Sequence, residues 1–103
     1  MKFQDYSKLQ DKISFKVFYC LNTKYNLFNY EDCINFLASK TGKGFKRIQK
    51  LLTIGLDRSF TIMDVERFAR ALDVPVEQLF VFDDIENYEK KIKKSFYHAI
   101  FFF

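Results

Sequence analysis

The residues best suited to chemistry in this sequence form a cluster of positive charges near the middle of the chain. No acidic residue occurs between Cys33 and Leu56. Such a cluster can displace counterions from a phosphate backbone, so it favours a polyanionic partner and binding that weakens as salt rises. Taken alone, a lysine-rich helix face is more often a solvated surface. The basic residues of the cluster are Lys40, Lys43, Lys46, Arg47 and Lys50.

The other residues that could support catalysis or metal binding are isolated. His98 is the only histidine, and Cys20 and Cys33 have no partner at the spacing of a zinc site or a redox pair. The acidic residues within 83–86 are explained by helix capping, and no glycine-rich phosphate loop or nucleophile motif is present. We therefore expect no enzyme activity, no metal, no cofactor and no small-molecule ligand, with both cysteines as buried free thiols.

Composition and length are those of one globular domain. Of the 103 residues, 49% are hydrophobic and 29% are charged, with a net charge of +4. The charged N-terminus does not resemble a signal peptide, and the apolar C-terminus is too short to span a bilayer. The sequence predicts a single helical domain over 1–103, cytoplasmic and without contact with a membrane.

Helical periodicity runs through most of the sequence, and no segment has the alternation of a strand. The predicted fold class is all-α: a compact bundle of five to six helices with an extended first helix and an added C-terminal helix. The predicted helices cover about 7–25, 30–40, 44–53, a stretch after residue 61, one turn after residue 75, and 84–103.

Capping residues mark where these helices begin and end. Asn29 is predicted to cap the second helix, and Gly42 to end it in a left-handed conformation. Thr61 and Asp64 have the spacing of a capping box at the start of the fourth helix. Pro75 prevents that helix from continuing.

Two segments resemble the Cro/lambda-repressor family of helix-turn-helix domains, also called the XRE family. Residues 71–80, Ala-Leu-Asp-Val-Pro-Val-Glu-Gln-Leu-Phe, are similar to the closing segment of the family. Residues 37–42, Leu-Ala-Ser-Lys-Thr-Gly, are similar to the end of its second helix and the following turn. Ile48 and Leu51 match the two buried positions of the recognition helix. The resemblance implies a lambda-repressor-like fold with its helix-turn-helix core over 30–81.

The same resemblance implies that the third helix enters the major groove of DNA, which is wide enough for one helix. If Ile48, Leu51 and Leu52 face the core, the opposite side of this helix faces the groove. The predicted base contacts are Phe45, Lys46, Gln49 and Lys50, with the alternative that Phe45 turns inward at the start of the helix. The predicted phosphate contacts are Lys40, Lys43, Gly44, Arg47 and Arg58.

The predicted C-terminal helix over 84–103 has an apolar stripe that must be covered. It could pack on the first helix of the same chain or lie in a two-fold dimer, and the aromatic tail favours the dimer slightly. A homodimer would place two recognition helices about 34–36 Å apart, which predicts a palindromic double-stranded DNA site. The predicted interface residues are Ile92, Phe96, Ile100 and Phe103.

Together these features predict a sequence-specific DNA-binding transcriptional regulator of the repressor type. Two alternatives stay open. One is a protein-interaction module on the same fold, comparable to an antitoxin or an antirepressor. The other is an accessory DNA-binding protein of a mobile element, which bends or marks a site without controlling transcription.

Overall fold

Helices account for all the regular structure in the computed structural model, which describes residues 3–53 and 61–85. Within these ranges no strand is present, as the sequence predicts. None of the described helices is long and apolar enough to cross a membrane. The predicted C-terminal helix lies outside the described residues from residue 86 on. The elements are α1 (Phe3–Tyr25), α2 (Tyr30–Thr41), α3 (Phe45–Leu52), α4 (Ile62–Leu72) and a 3₁₀ helix (Val76–Phe80).

α1 is the extended first helix that the sequence predicts, with 23 residues. It begins at Phe3, earlier than expected, because neither glycine nor proline interrupts its first turns. It ends where Asn26 takes a left-handed backbone with φ of 56°. The Leu27 N–H donates to the Leu21 carbonyl at 3.1 Å and closes this end. The buried apolar residues of α1 include Ile13, Val17, Phe18 and Leu21.

α2 and α3 are two helices joined by a very short turn. The Asn29 side chain accepts a hydrogen bond from the Asp32 N–H at 3.2 Å and so caps the start of α2, as predicted. Gly42 ends α2 with φ of 74°, and its N–H donates to the Ala38 carbonyl at 3.0 Å. Only residues 42–44 separate the two helices. α2 and α3 contact each other across this turn.

α4 begins with the predicted capping box. The Asp64 N–H donates to Thr61 Oγ1 at 3.1 Å, and the Thr61 N–H donates to Asp64 Oδ2 at 3.0 Å. The helix ends at Asp73, which has φ of 56°. The residue after that end, Val74, donates its N–H to the Ala69 carbonyl at 3.0 Å. Capping interactions therefore satisfy part of the free backbone groups at both ends of α4.

The ends of α1 and α4 are held together by hydrogen bonds. The Tyr25 hydroxyl donates to the Leu72 carbonyl at 2.7 Å. Lys24 Nζ donates to the Leu72 carbonyl at 2.9 Å and to the Asp73 carbonyl at 2.6 Å. These contacts satisfy carbonyl groups that the end of α4 leaves without a partner inside the helix.

One hydrophobic core joins the elements. α2 contacts both α3 and α4, and α1 contacts α4 and the 3₁₀ helix. Burial of each large apolar side chain stabilises the fold by about 1.5–3 kcal/mol, so α3 is held with one fixed face inward. The large side chains with the lowest exposure include Phe18, Ile34, Leu37, Ile48, Leu52, Phe68, Leu72, Leu79 and Ile85.

Candidate nucleic-acid interface

The outward face of α3 is basic. Ile48 and Leu52 are buried, whereas Lys46, Arg47 and Lys50 are exposed. At 100° per residue these three cations occupy one continuous arc, with Lys50 at its centre, opposite the buried pair. The first turn of α3 contains no acidic residue. The geometry confirms that Lys46 and Lys50 face away from the core.

Gln49 does not lie on this outward face. It is half-buried, and its Oε1 atom is buried. Its side chain lies near the Tyr30 hydroxyl. The Tyr30 ring packs on Phe18, with ring centroids 5.9 Å apart. Burial raises the pKa of Tyr30 to about 12, and the neighbouring Gln49 side chain lowers it to a smaller extent. Gln49 is therefore not on the outward side of α3, where the sequence predicts it, and its base contact stays a prediction.

Phe45 is also turned inward. Its side chain is half-buried and packs against the hydrophobic core. Phe45, Ile48, Gln49 and Leu52 follow the i, i+3, i+4, i+7 spacing of a single helix face, which here is the inward one. Leu51, predicted to be buried, is only partly so. The helix is thus rotated from the predicted orientation, and Phe45 lies at the edge of the core rather than opposite it.

Lys40 and Lys43 extend the basic surface beyond α3. Lys40 is exposed in the last turn of α2, with its Nζ 5.7 Å from the centroid of the Phe36 ring. Lys43 is half-buried in the turn, where its N–H donates to Thr41 Oγ1 at 3.3 Å. Neither lysine forms an ion pair with another described residue. Among the described residues, no carboxylate therefore compensates these two charges next to those of α3.

Gly44 lies at the start of α3 without a side-chain cap. It is exposed, with extended backbone at φ of −70° and ψ of 156°. The first amides of α3 have no acceptor within the helix, so this end can donate hydrogen bonds to an anion. This end of α3 is open to a phosphate, and the predicted contact of Gly44 stays a prediction. Arg58 lies outside the described residues.

The predicted dimer interface cannot be placed on this surface. Ile92, Phe96, Ile100 and Phe103 all lie outside the described residues. The chain leads toward them through Asp84 and Ile85, and Ile85 is fully buried.

The two cysteines are core residues, as predicted. Cys20 and Cys33 are free and buried. Burial raises the pKa of both thiols, that of Cys33 to about 12, with a smaller contribution from the Asp32 charge. Among the described residues, no group of three histidines, cysteines or acids is placed to hold a metal ion.

Two arginines of α4 belong to the basic surface although no sequence motif singles them out. Arg67 and Arg70 line a cleft with Lys40 and Thr41, at the place where the end of α2 meets α4. Their i, i+3 spacing places both on one side of α4. Arg67 and Arg70 lie beside Lys40 only because α2 packs on α4. A local sequence pattern therefore does not predict this cleft.

Comparisons with models of protein families, with curated proteins and with solved structures find no match to this chain.

Proposed function

We propose that this chain is a sequence-specific DNA-binding domain of the Cro/lambda-repressor-like kind and that it acts as a transcriptional repressor by occupying its site. The observation that carries the proposal is the outward face of α3, where Lys46, Arg47 and Lys50 are exposed opposite a buried pair of aliphatic residues. A three-residue turn connects this helix to α2, which braces it. The major groove is wide enough to admit one helix presented in this way.

The exposed side chains divide into two roles. Lys50 and Lys46 point outward from the arc of α3 that would enter the groove, and a lysine ammonium can donate to the acceptor atoms of guanine. Lys46 and Arg47 lie at the two edges of the arc. We assign Arg47 to phosphates, together with Lys40 at the end of α2 and Lys43 in the turn. Phosphate contacts set affinity and orientation, and base contacts set sequence preference.

A symmetric dimer would extend this interface to a palindromic site. If the apolar residues of the sequence of 84–103 mediate self-association, two copies of α3 would read half-sites one helical turn apart, about 34–36 Å. The proposal predicts that one dimer binds one inverted repeat. A monomer mass in light scattering across the working concentrations would remove this part of it.

The experiment that tests DNA binding is a salt series. The full chain is titrated against a labelled mixed-sequence duplex, and binding is followed by fluorescence anisotropy from low to moderate salt. The logarithm of the binding constant should fall linearly with the logarithm of salt concentration, by about 0.9 for each phosphate neutralised. Absence of binding even at low salt would overturn the proposal.

Charge variants sharpen this test. Lys50→Gln removes one charge from the centre of the outward face of α3, and Lys12→Gln removes one from α1, where the exposed Lys12 lies 5.8 Å from the Phe82 ring centroid. Both variants have the same net charge, so a non-specific effect of charge would weaken both equally. We expect Lys50→Gln alone to weaken binding.

A protein-interaction module is the second candidate function. The observation that favours it is an apolar patch in which Ile62 is 61%, Met63 57% and Phe80 40% exposed. Ile62 and Phe80 also line a shallow apolar groove against α1, together with Leu9 and Ile13. Exposed apolar surface of this kind often marks a contact with another protein.

A further inference from the structure

The cleft between the end of α2 and α4 is lined by cations and by no described carboxylate. Its walls are Lys40 and Thr41 from α2, and Arg67, Arg70 and Ala71 from α4. Lys40 and Arg70 are exposed, and the Arg67 side chain is 35% exposed. Three positive groups therefore converge from two different helices on one concave surface, which distinguishes the cleft from an ordinary row of lysines along a single helix.

Arg67 is held in position at one edge of this cleft. Its Nη1 lies 3.4 Å from Asp64 Oδ1, and the Asp64 side chain is 8% exposed. Asp64 is itself fixed because it accepts the Thr61 N–H in the capping box of α4. A guanidinium has five N–H donors, so a single contact with Asp64 leaves most of them available. Asp64 thus orients the Arg67 side chain and leaves N–H donors of its guanidinium for another acceptor.

Thr41 forms a wall of the cleft rather than a ligand. Its hydroxyl donates to the Leu37 carbonyl at 2.7 Å and accepts the Lys43 N–H at 3.3 Å. These two bonds join the wall of the cleft to the turn that precedes α3. Lys43, in that turn, lies between the cleft and α3 in the chain.

We infer that this cleft binds a phosphate group of the DNA backbone and that α4 is a further DNA-contacting element through Arg67 and Arg70. Guanidinium groups suit this role because their planar donors match phosphate oxygens in pairs, whereas a lysine acts as a point charge. The inference rests on the proposed function. It adds two binding residues on a helix that neither the sequence motif nor the resemblance assigns to DNA.

The test is the salt dependence of duplex binding by arginine variants of the full chain. Arg70→Gln, Arg67→Gln and the double variant are compared with wild type and with Lys12→Gln, on the same labelled mixed-sequence duplex. Removal of one phosphate contact should reduce the slope of log binding constant against log salt by about 0.9. The Lys12→Gln variant should keep the wild-type slope, and circular dichroism should show that each variant remains folded.

Arg70→Gln is the decisive variant, because Arg67 also contacts Asp64 and its loss could loosen the start of α4. If wild type binds the duplex but Arg70→Gln and the double variant keep its slope, the cleft is not a phosphate site, while the proposed function stands. If wild type shows no binding at low salt, the proposed function fails and the inference falls with it. A slope reduced in Arg70→Gln and in the double variant but not in Lys12→Gln supports the inference.

Discussion

Lys16 Nζ lies 2.6 Å from Asp84 Oδ2, and the two residues are 68 positions apart in the chain. The two ends of this ion pair are in different surroundings, because the Lys16 side chain is 3% exposed and that of Asp84 is 40% exposed. The pair attaches the segment that follows the 3₁₀ helix to α1. The neighbouring Ile85 is fully buried, so this attachment has both a polar and an apolar part.

The unequal burial predicts unequal effects of removing each partner. Asp84→Asn leaves the Lys16 ammonium buried without its counter-charge and should lower the free energy of unfolding by about 2 kcal/mol, less than for a fully buried pair. Lys16→Met leaves a carboxylate that water already reaches, and it should cost less than about 1 kcal/mol. Urea denaturation measures both. If both substitutions lowered the free energy of unfolding equally, the deeper burial of Lys16 would have no effect on the cost of breaking the ion pair.

Alkaline pH should destabilise the fold through two buried groups. Burial raises the pKa of Cys33 from 9.0 to about 12 and that of Tyr30 from 10.0 to about 12. Above pH 9 the unfolded chain releases the Cys33 proton while the folded chain retains it, so stability is full below pH 9 and falls as pH rises toward 12. The fall should approach about 1.4 kcal/mol per pH unit for each group.

Urea denaturation between pH 8 and pH 11 checks this prediction. Cys33→Ala should reduce the decline in the free energy of unfolding that begins near pH 9. Tyr30→Phe should reduce the further decline that begins near pH 10. Both changes in slope are expected whatever each substitution does to stability at pH 8. A profile that is flat to pH 11 in the wild type would contradict the assignment of these groups.

The two glycines of the turn should respond in opposite directions to substitution. Gly42 has φ of 74°, so Gly42→Ala should destabilise the fold by about 1–2 kcal/mol through backbone strain. Gly44 has ordinary extended backbone, and a Cβ there would meet nothing within 4 Å. Gly44→Ser adds a cap for α3 and restricts the unfolded chain, and it should stabilise by about 0.5–1 kcal/mol. Thermal denaturation of Gly42→Ala and Gly44→Ser measures both changes in stability. A loss of stability in Gly44→Ser would contradict the expected capping of α3.

The ends of the helices could be predicted from the sequence because the interactions that form them are local. Asn29 bonds to a backbone group three residues away, and Thr61 and Asp64 bond to each other across one turn. Gly42 needs a left-handed conformation that few other residues adopt easily. Each of these features depends on a few consecutive residues, so neighbouring residue types are sufficient to predict them.

The rotation of α3 could not be predicted in the same way. Several choices of buried face fit the apolar residues of this eight-residue helix, and the choice depends on what α2 presents to it. Gln49, a polar residue, lies on the partly buried face beside Tyr30. The cleft of Lys40, Arg67 and Arg70 depends likewise on tertiary packing, since it joins residues of two helices. Sequence patterns limit the faces that a helix can bury, but the packing partner decides which of them is buried.

The orientation of α3 leads to a last prediction, which separates two residues that sequence patterns do not distinguish. Lys46 is exposed, whereas Gln49 is half-buried with its Oε1 inside. Lys46→Ala should relax sequence preference at one base pair by about 1–3 kcal/mol, the range for a good base contact, with little effect on stability. Gln49→Ala should lower stability and leave sequence preference unchanged, because it removes packing beside Tyr30 and leaves the outward face of α3 intact. Selection of sites from random duplexes, with urea denaturation alongside, measures both effects. A changed preference in Gln49→Ala at unchanged stability would mean that the carboxamide turns outward on binding, at the cost of its contact with Tyr30.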